Sequence, residues 1–125
     1  MKRFFAILTC AALLCCAGVA YAEAGREFYG EAVQRLIFPY VWDAAVREHW
    51  AEVGIDWYDL ELLDVSRASD GGLRLTVEFR PYLGAHISIS RDRAVVETGF
   101  SGARVREYAI LERYEVNAPW LPPYR

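Results

Sequence analysis

Apolar residues recur at helical spacing through residues 26–53, with charged and polar residues between them. Such a period is typical of amphipathic helices that pack on a core. Pro39 interrupts the pattern, because proline lacks an amide hydrogen and clashes with the preceding turn, although it suits the first position of a new helix. The pattern therefore predicts one helix over 26–38 and a second from about Pro39 to Val53, with Gly54 as its C-terminal stop. One kinked helix is the alternative.

Strand patterns follow the helical region. Residues 73–80 alternate strictly, so the sequence predicts a strand with Leu73, Leu75, Val77 and Phe79 on the core side and Arg74, Thr76, Glu78 and Arg80 facing away. Residues 58–67 alternate loosely, and the adjacent pair Leu62-Leu63 breaks the period and predicts a bulge. The segment Ser69-Asp70-Gly71-Gly72 between the two strands is rich in turn-forming residues.

The remaining segments predict further strands. Residues 81–84 end or bend the alternating strand, and the apolar positions of residues 87–96 indicate one or two strand pieces. A turn over 100–102 and a last strand or strand pair over 104–115 follow, with an extended tail from about residue 117. Two helices followed by such strands predict an α+β fold, in which the helices pack on one face of an antiparallel meander of three to five strands.

The first 22 residues have the pattern of a secretory signal peptide. A basic start precedes the apolar run Phe4–Val19, and Ala20-Tyr21-Ala22 has the small-x-small form that a signal peptidase recognises. The sequence thus predicts cleavage after Ala22, an exported protein in the periplasm or the medium, and one domain over 23–125. A lipid anchor is disfavoured because none of the three cysteines has the residues of a lipoprotein signal before it. An uncleaved anchor is disfavoured because the run is shorter than the roughly 20 residues of a spanning helix.

Cleavage would change the chemistry of the chain. Cys10, Cys15 and Cys16 all lie in the apolar run, so the mature chain would have no thiol, disulfide or thiolate metal site. From Glu23 onward there are 17 acidic residues and 12 arginines, a net charge of −5. An acidic chain is a poor partner for nucleic acid, and no membrane span is expected after cleavage. The two histidines are 37 residues apart, so neither a metal site nor a cofactor is predicted.

The sequence also resembles a known family. The resemblance covers about residues 33–116 and depends on Leu36–Val41, Leu73–Arg80, Pro81–Arg93 and the aromatic and acidic stretch Tyr108–Glu115. These segments are similar to a family of short exported bacterial proteins known only as a domain of unknown function, number thirty-eight eighty-eight. The resemblance implies a cystatin-like or half-NTF2-like shape. It implies no activity and no catalytic residues, since the family has none established.

The candidates for catalysis are His86 and Asp92. His86 follows Gly84, where a backbone can approach a ligand closely, and a His–Asp pair can transfer protons. The structural alternative is that His86 only bonds a loop carbonyl and holds the turn. His49 is expected on the solvent side of the second helix, between Glu48 and Trp50.

An arginine-rich region provides the candidate ligand-binding residues. Residues 80–106 contain five arginines and two acidic residues, whereas residues 23–79 have a net charge of −7. Guanidinium groups that converge in a meander would suit a carboxylate or phosphate. The predicted ligand-binding set is Arg80, Tyr82, His86, Arg91 and Arg93. The alternative is that these arginines form cross-strand ion pairs with Asp92 and Glu97.

These observations favour a non-catalytic binding or interaction domain of the cell envelope. Its partner would be an anionic envelope ligand or another protein. A small hydrolase-like enzyme is the alternative, with His86 as acid and base in a helix–sheet pocket. A structural accessory protein that pairs through an exposed edge strand is the third hypothesis.

Overall fold

The computed structural model describes residues 2–50 and 52–117, with side chains described from Gly25 onward. The chain forms two compact units, Met1–Val33 and Gln34–Arg125. The first unit is helical, and the second is an α+β domain. The elements in chain order are helix α1 (Lys2–His49), a 3₁₀ turn (Trp57–Asp59), β1 (Glu61–Arg67), β2 (Leu73–Phe79), β3 (Tyr82–Leu83), β4 (Ile87–Ser88), β5 (Ser90–Gly99) and β6 (Gly102–Arg113).

Pro39 lies inside a single helix, so the prediction of two helices is wrong. A proline in a helix interior costs about 3 kcal/mol. The residues around it compensate, because Ile37 and Val41 are 2% and 0% exposed and lie on one stripe of α1 with Ala44 and Ala45. Burying two such branched side chains contributes roughly 1.5–3 kcal/mol each, which is enough to keep the helix continuous through the proline.

The strands form the predicted antiparallel meander. Their spatial order is β1-β2-β5-β6, and β3 and β4 form a separate two-stranded hairpin between β2 and β5. The register of β1 against β2 shifts between Leu62 and Asp64, which confirms the predicted bulge. The turn at residues 100–101 between β5 and β6 is also confirmed. Residues 87–88 and 90–96 lie in two strands, β4 and the first part of β5, in agreement with the predicted one or two strand pieces.

One face of the sheet is the core. Leu75, Val77 and Phe79 of β2 are buried, as predicted, whereas Leu73 at the strand end is 41% exposed. The register places Val96, Ala94 and Asp92 of β5 opposite these three residues, so their side chains share the core face. The buried stripe of α1 belongs to the same core. The opposite face carries the charged residues of β2, as the alternation predicted.

The helix ends at His49, four residues before the predicted end at Val53. Trp50 follows with a positive φ of 51°, a left-handed backbone that terminates a helix. Gly54 is not the stop, because it pairs instead with Tyr82 in an isolated antiparallel bridge. The extended tail predicted from about residue 117 lies almost wholly outside the described residues. In the part of the chain that the structure describes, we find no helix with the length and apolar character of a membrane span.

Candidate functional site

A cleft of about 740 Å³ opens between the C-terminal part of α1, the loop after it and the β3–β4 hairpin. Its volume falls in the range of about 300–1,000 Å³ that small-molecule sites occupy. Apolar and aromatic side chains form most of its wall, and two carboxylates lie at its edge. We call it the Trp42 cleft; the residues that line it are Pro39, Trp42, Asp43, Val46, Glu52, Val53, Gly54, Tyr82 and Gly84.

Local hydrogen bonds fix the shape of the Trp42 cleft. The indole N–H of Trp42 donates to the carbonyl oxygen of Val53 at 2.8 Å, which joins the helix to the loop. Gly54 and Tyr82 exchange two backbone hydrogen bonds of 2.9 Å, which join the loop to β3. Position 54 needs glycine because a Cβ there would lie 2.3 Å from Cε2 of the Tyr82 ring. Three separate segments are therefore held together around the cleft.

A polar cluster surrounds Asp56 beside the cleft. Its Oδ1 accepts a long hydrogen bond from the Tyr82 hydroxyl at 3.4 Å, and its Oδ2 lies 3.4 Å from Nδ1 of His86. The rings of Tyr82 and His86 pack with their centroids 4.2 Å apart. Burial and then the Asp56 charge raise the pKa of Tyr82. A hydrogen bond to Asp56 raises the pKa of Tyr58. Both phenols therefore remain protonated and can donate hydrogen bonds at neutral pH.

The structure does not bring His86 and Asp92 together. The carboxylate next to His86 is that of Asp56, which lies 30 positions earlier in the chain. His86 has a positive φ of 59°, and its side chain is 65% exposed. An imidazole beside a carboxylate can exchange protons with a ligand. The His86–Asp56 pair is therefore the arrangement on which the enzyme alternative depends.

Asp92 belongs to a buried cluster with His49 and Tyr108. Asp92 Oδ2 lies 2.5 Å from Nε2 of His49, and both side chains are fully buried. The hydroxyl of Tyr108 donates to the same oxygen. Burial and then this hydrogen bond raise the pKa of Tyr108. The expectation that His49 faces solvent is wrong. The sequence contained a signal for its burial, because His49 follows Val41 by eight positions and Ala45 by four, on the same helical stripe.

The arginines of the predicted ligand-binding set are engaged in ion pairs. Arg80 binds Asp59 at 2.5 Å, and Glu78 pairs with Arg91 at 3.1 Å and with Arg93 at 2.5 Å. These contacts lie on the sheet face opposite the core or at its edge. Of the other two members of the predicted set, Tyr82 lines the Trp42 cleft, and His86 packs against the Tyr82 ring without lining the cleft.

Glu97 is the centre of a second group of ion pairs on the outer face. It lies 2.6 Å from Arg106, 3.2 Å from Arg74 and 3.8 Å from Arg104. The alternative of cross-strand pairs with Glu97 is therefore confirmed for Arg104 and Arg106. It is wrong for Arg80, Arg91 and Arg93, which pair with Asp59 and Glu78. Asp92 does not take part, because its side chain points to the core.

These ion pairs predict a loss of stability in acid. The hydrogen bond from Arg93 lowers the pKa of Glu78, and that from Arg106 lowers the pKa of Glu97, below their usual value of 4.5. A carboxyl group whose pKa is lower in the folded state than in the unfolded state stabilises the fold at pH values above its unfolded-state pKa. This stabilisation is lost as the pH falls through the folded-state pKa. We therefore expect the free energy of unfolding to decrease as the pH falls below about 4.5.

Urea denaturation at about pH 6 and about pH 3 checks this expectation. The double variant Glu78→Gln/Glu97→Gln should lose less stability between the two pH values than the unmodified protein. The variant Asp64→Asn is the control, because Asp64 is exposed on β1 and forms no ion pair among the described residues. An unchanged acid loss in the double variant would contradict the prediction.

Comparisons with known proteins yield no relative. No family model, no curated protein and no solved structure matches the chain. The resemblance to a family of exported bacterial proteins therefore stays a prediction. Within the described residues, no group of three or more histidine, cysteine, aspartate or glutamate side chains is arranged to hold a metal ion.

Proposed function

We propose that the protein is an exported, non-catalytic binding domain that holds an apolar small molecule in the Trp42 cleft. The observation that carries this proposal is the cleft itself, about 740 Å³ in volume and walled mainly by Pro39, Trp42, Val46 and Val53. The signal-peptide pattern of residues 1–22 supports export.

The wall of the cleft favours an apolar ligand. Trp42 is 46% exposed even though its N–H is bonded to the loop, so much of its ring remains available for contact. Burial of apolar surface contributes about 25 cal/mol per Å², and aromatic side chains provide large contact areas at fixed positions. A ligand that covers the Trp42 ring and the Val46 side chain would remove this surface from water.

The cleft supports this function better than the arginine-rich face does. The guanidinium groups of Arg80, Arg91 and Arg93 already have carboxylate partners, so an anionic ligand would have to displace ion pairs. The enzyme alternative is favoured only by the His86–Asp56 contact, whose imidazole is largely in solvent. A binding function, in contrast to catalysis, requires no acid–base group at the cleft.

Fluorescence titration with the neutral dye N-phenyl-1-naphthylamine tests the proposal. The full chain is expressed in a bacterial host, and the exported product is purified and weighed by mass spectrometry to find its first residue. Export with cleavage after Ala22 and saturable dye binding are the expected results. The variant Val46→Arg, which places a charge on the apolar wall, should weaken dye binding by about tenfold or more, equivalent to about 1.4 kcal/mol.

The matched control is Val65→Arg. Val65 is 49% exposed on β1 and does not line the cleft, so its replacement should leave dye affinity unchanged. Equal affinities for the unmodified protein and Val46→Arg would overturn the assignment of the cleft as the binding site. Retention of the product in the cytoplasm would overturn the export half of the proposal.

A further inference from the structure

The electrostatic character of the Trp42 cleft is negative. Asp43 and Glu52 line it, and Asp56 lies immediately behind Tyr82. Among the described residues, no arginine or lysine lines the cleft. A ligand that enters it therefore meets carboxylates without a cationic side chain in the wall.

The carboxylates differ in how far they are neutralised. Asp43 pairs with Arg47 at 2.8 Å, but both side chains are about two-thirds exposed, so solvent screens this contact. Glu52 is exposed and has no ion pair in the part of the chain that the structure describes. The cleft therefore keeps a net negative charge, chiefly at the Glu52 side.

Aromatic rings provide a second feature that suits a cation. The ring faces of tryptophan and tyrosine carry negative electrostatic potential and attract cations within about 6 Å. The hydrogen bond to Val53 fixes the position of the Trp42 ring, and the contact with the tilted ring of His86 fixes that of Tyr82. Two oriented rings and the Glu52 carboxylate, which has no ion pair among the described residues, thus line the same cleft.

We propose that the ligand of the Trp42 cleft is an organic cation with an apolar body, such as an alkylammonium compound. The apolar body lies against Val46 and Trp42, and the cationic group lies next to Glu52. This inference rests on the proposed binding function and adds to it the charge of the ligand. An anionic group in the same place would be repelled, and a neutral group would leave the carboxylate without a partner.

Isothermal titration with three probes of equal chain length tests the charge of the ligand. The probes are decyltrimethylammonium, decyl maltoside and decyl sulfate, each below its micelle concentration. We expect the cationic probe to bind about five- to tenfold more tightly than the neutral one, and the anionic probe to bind most weakly. The advantage of the cation should shrink as salt is added, because salt screens exposed charges.

Matched glutamate variants separate the cleft from the overall acidity of the protein. Glu52→Gln should reduce the preference for the cation to about twofold, whereas Glu61→Gln, on β1 away from the cleft, should leave it unchanged. Both variants remove the same charge from the whole protein. A similar loss of preference in the two variants would therefore overturn the placement of the cation beside Glu52.

The outcomes also distinguish this inference from the proposed function. If the neutral and cationic probes bind in the cleft with equal affinity, the binding function stands and the cationic ligand is wrong. If none of the three probes binds but the neutral dye does, the binding function stands and the cationic ligand is wrong. If the dye does not bind either, both proposals fail. A preference for decyl sulfate would overturn the inference directly.

Discussion

Asp92→Ala is expected to lower the free energy of unfolding by about 3–5 kcal/mol, because it leaves two buried polar side chains, His49 and Tyr108, without their shared hydrogen-bond partner. Asp92 and His49 have no exposed side-chain surface, and Tyr108 donates to the same carboxylate oxygen. The substitution leaves an imidazole and a phenol in the core without this acceptor. Small domains are stable by only about 5–15 kcal/mol, so the loss is a large part of the total.

Urea denaturation followed by circular dichroism measures this effect. Asp64→Ala is the control, since Asp64 is exposed on β1, and it should change the stability by less than about 0.5 kcal/mol. If Asp92→Ala does not fold, Asp92→Asn provides the measurement, because asparagine keeps the shape of the side chain and replaces one carboxylate oxygen with an amide donor. A loss below about 1 kcal/mol in either variant would contradict a role for the pair in stability.

Gly72→Ala is expected to lower the free energy of unfolding by about 2–3 kcal/mol, more than the same change at Gly71. A Cβ at Gly72 would lie 1.9 Å from the carbonyl oxygen of Thr98, a backbone atom that cannot move alone. Thr98 pairs with Leu73, so relief of the clash has to displace β5 from β2.

Gly71→Ala is the matched comparison. A Cβ at Gly71 meets open space, but φ there is +85°, a conformation that costs an alanine roughly 1–2 kcal/mol. Denaturation of both variants, with hydrogen exchange of the β2 and β5 amides, measures the difference. Faster exchange near Leu73 is expected in Gly72→Ala alone. Equal losses at the two positions would show that backbone conformation, and not the contact with Thr98, decides the cost.

The buried cluster also affects the proposed binding site. His49 is the last residue of α1, and the loop that begins at Trp50 leads directly to Glu52 and Val53 of the Trp42 cleft. The contact of His49 with Asp92 fixes the end of the helix against the centre of the sheet. The core interaction therefore determines where the loop starts and how the cleft is shaped.

Local pattern predicted most of the sheet. The alternation of residues 73–80, the bulge at Leu62-Leu63 and the turns needed only near neighbours in sequence, because a strand exposes alternate residues to opposite faces. Pro39 is the main failure. Proline ends a helix by its local chemistry, but the burial of Ile37 and Val41 in the core compensates for its cost, and this burial depends on the tertiary structure.

The candidate site was predictable only in part. The region of Tyr82 and His86 was expected to bind a ligand, and both residues lie at the Trp42 cleft or beside it. The other walls of the cleft come from α1 and from the loop around Val53, which no motif connects with Tyr82. Their association depends on hydrogen bonds between residues 11 and 28 positions apart, and local patterns do not contain such pairings.

The sequence by itself determined the antiparallel strands, the outward face of β2 and the acidic balance of the chain, because each depends on composition or on neighbours along one strand. Only the tertiary structure decided which charges meet. Asp92 and the arginines on either side of it share one strand, yet the pleat directs Asp92 to His49 in the core and Arg91 and Arg93 to Glu78 on the outer face. Spacing along one helix or strand indicates which face a residue takes, but it does not encode which distant residues meet on that face.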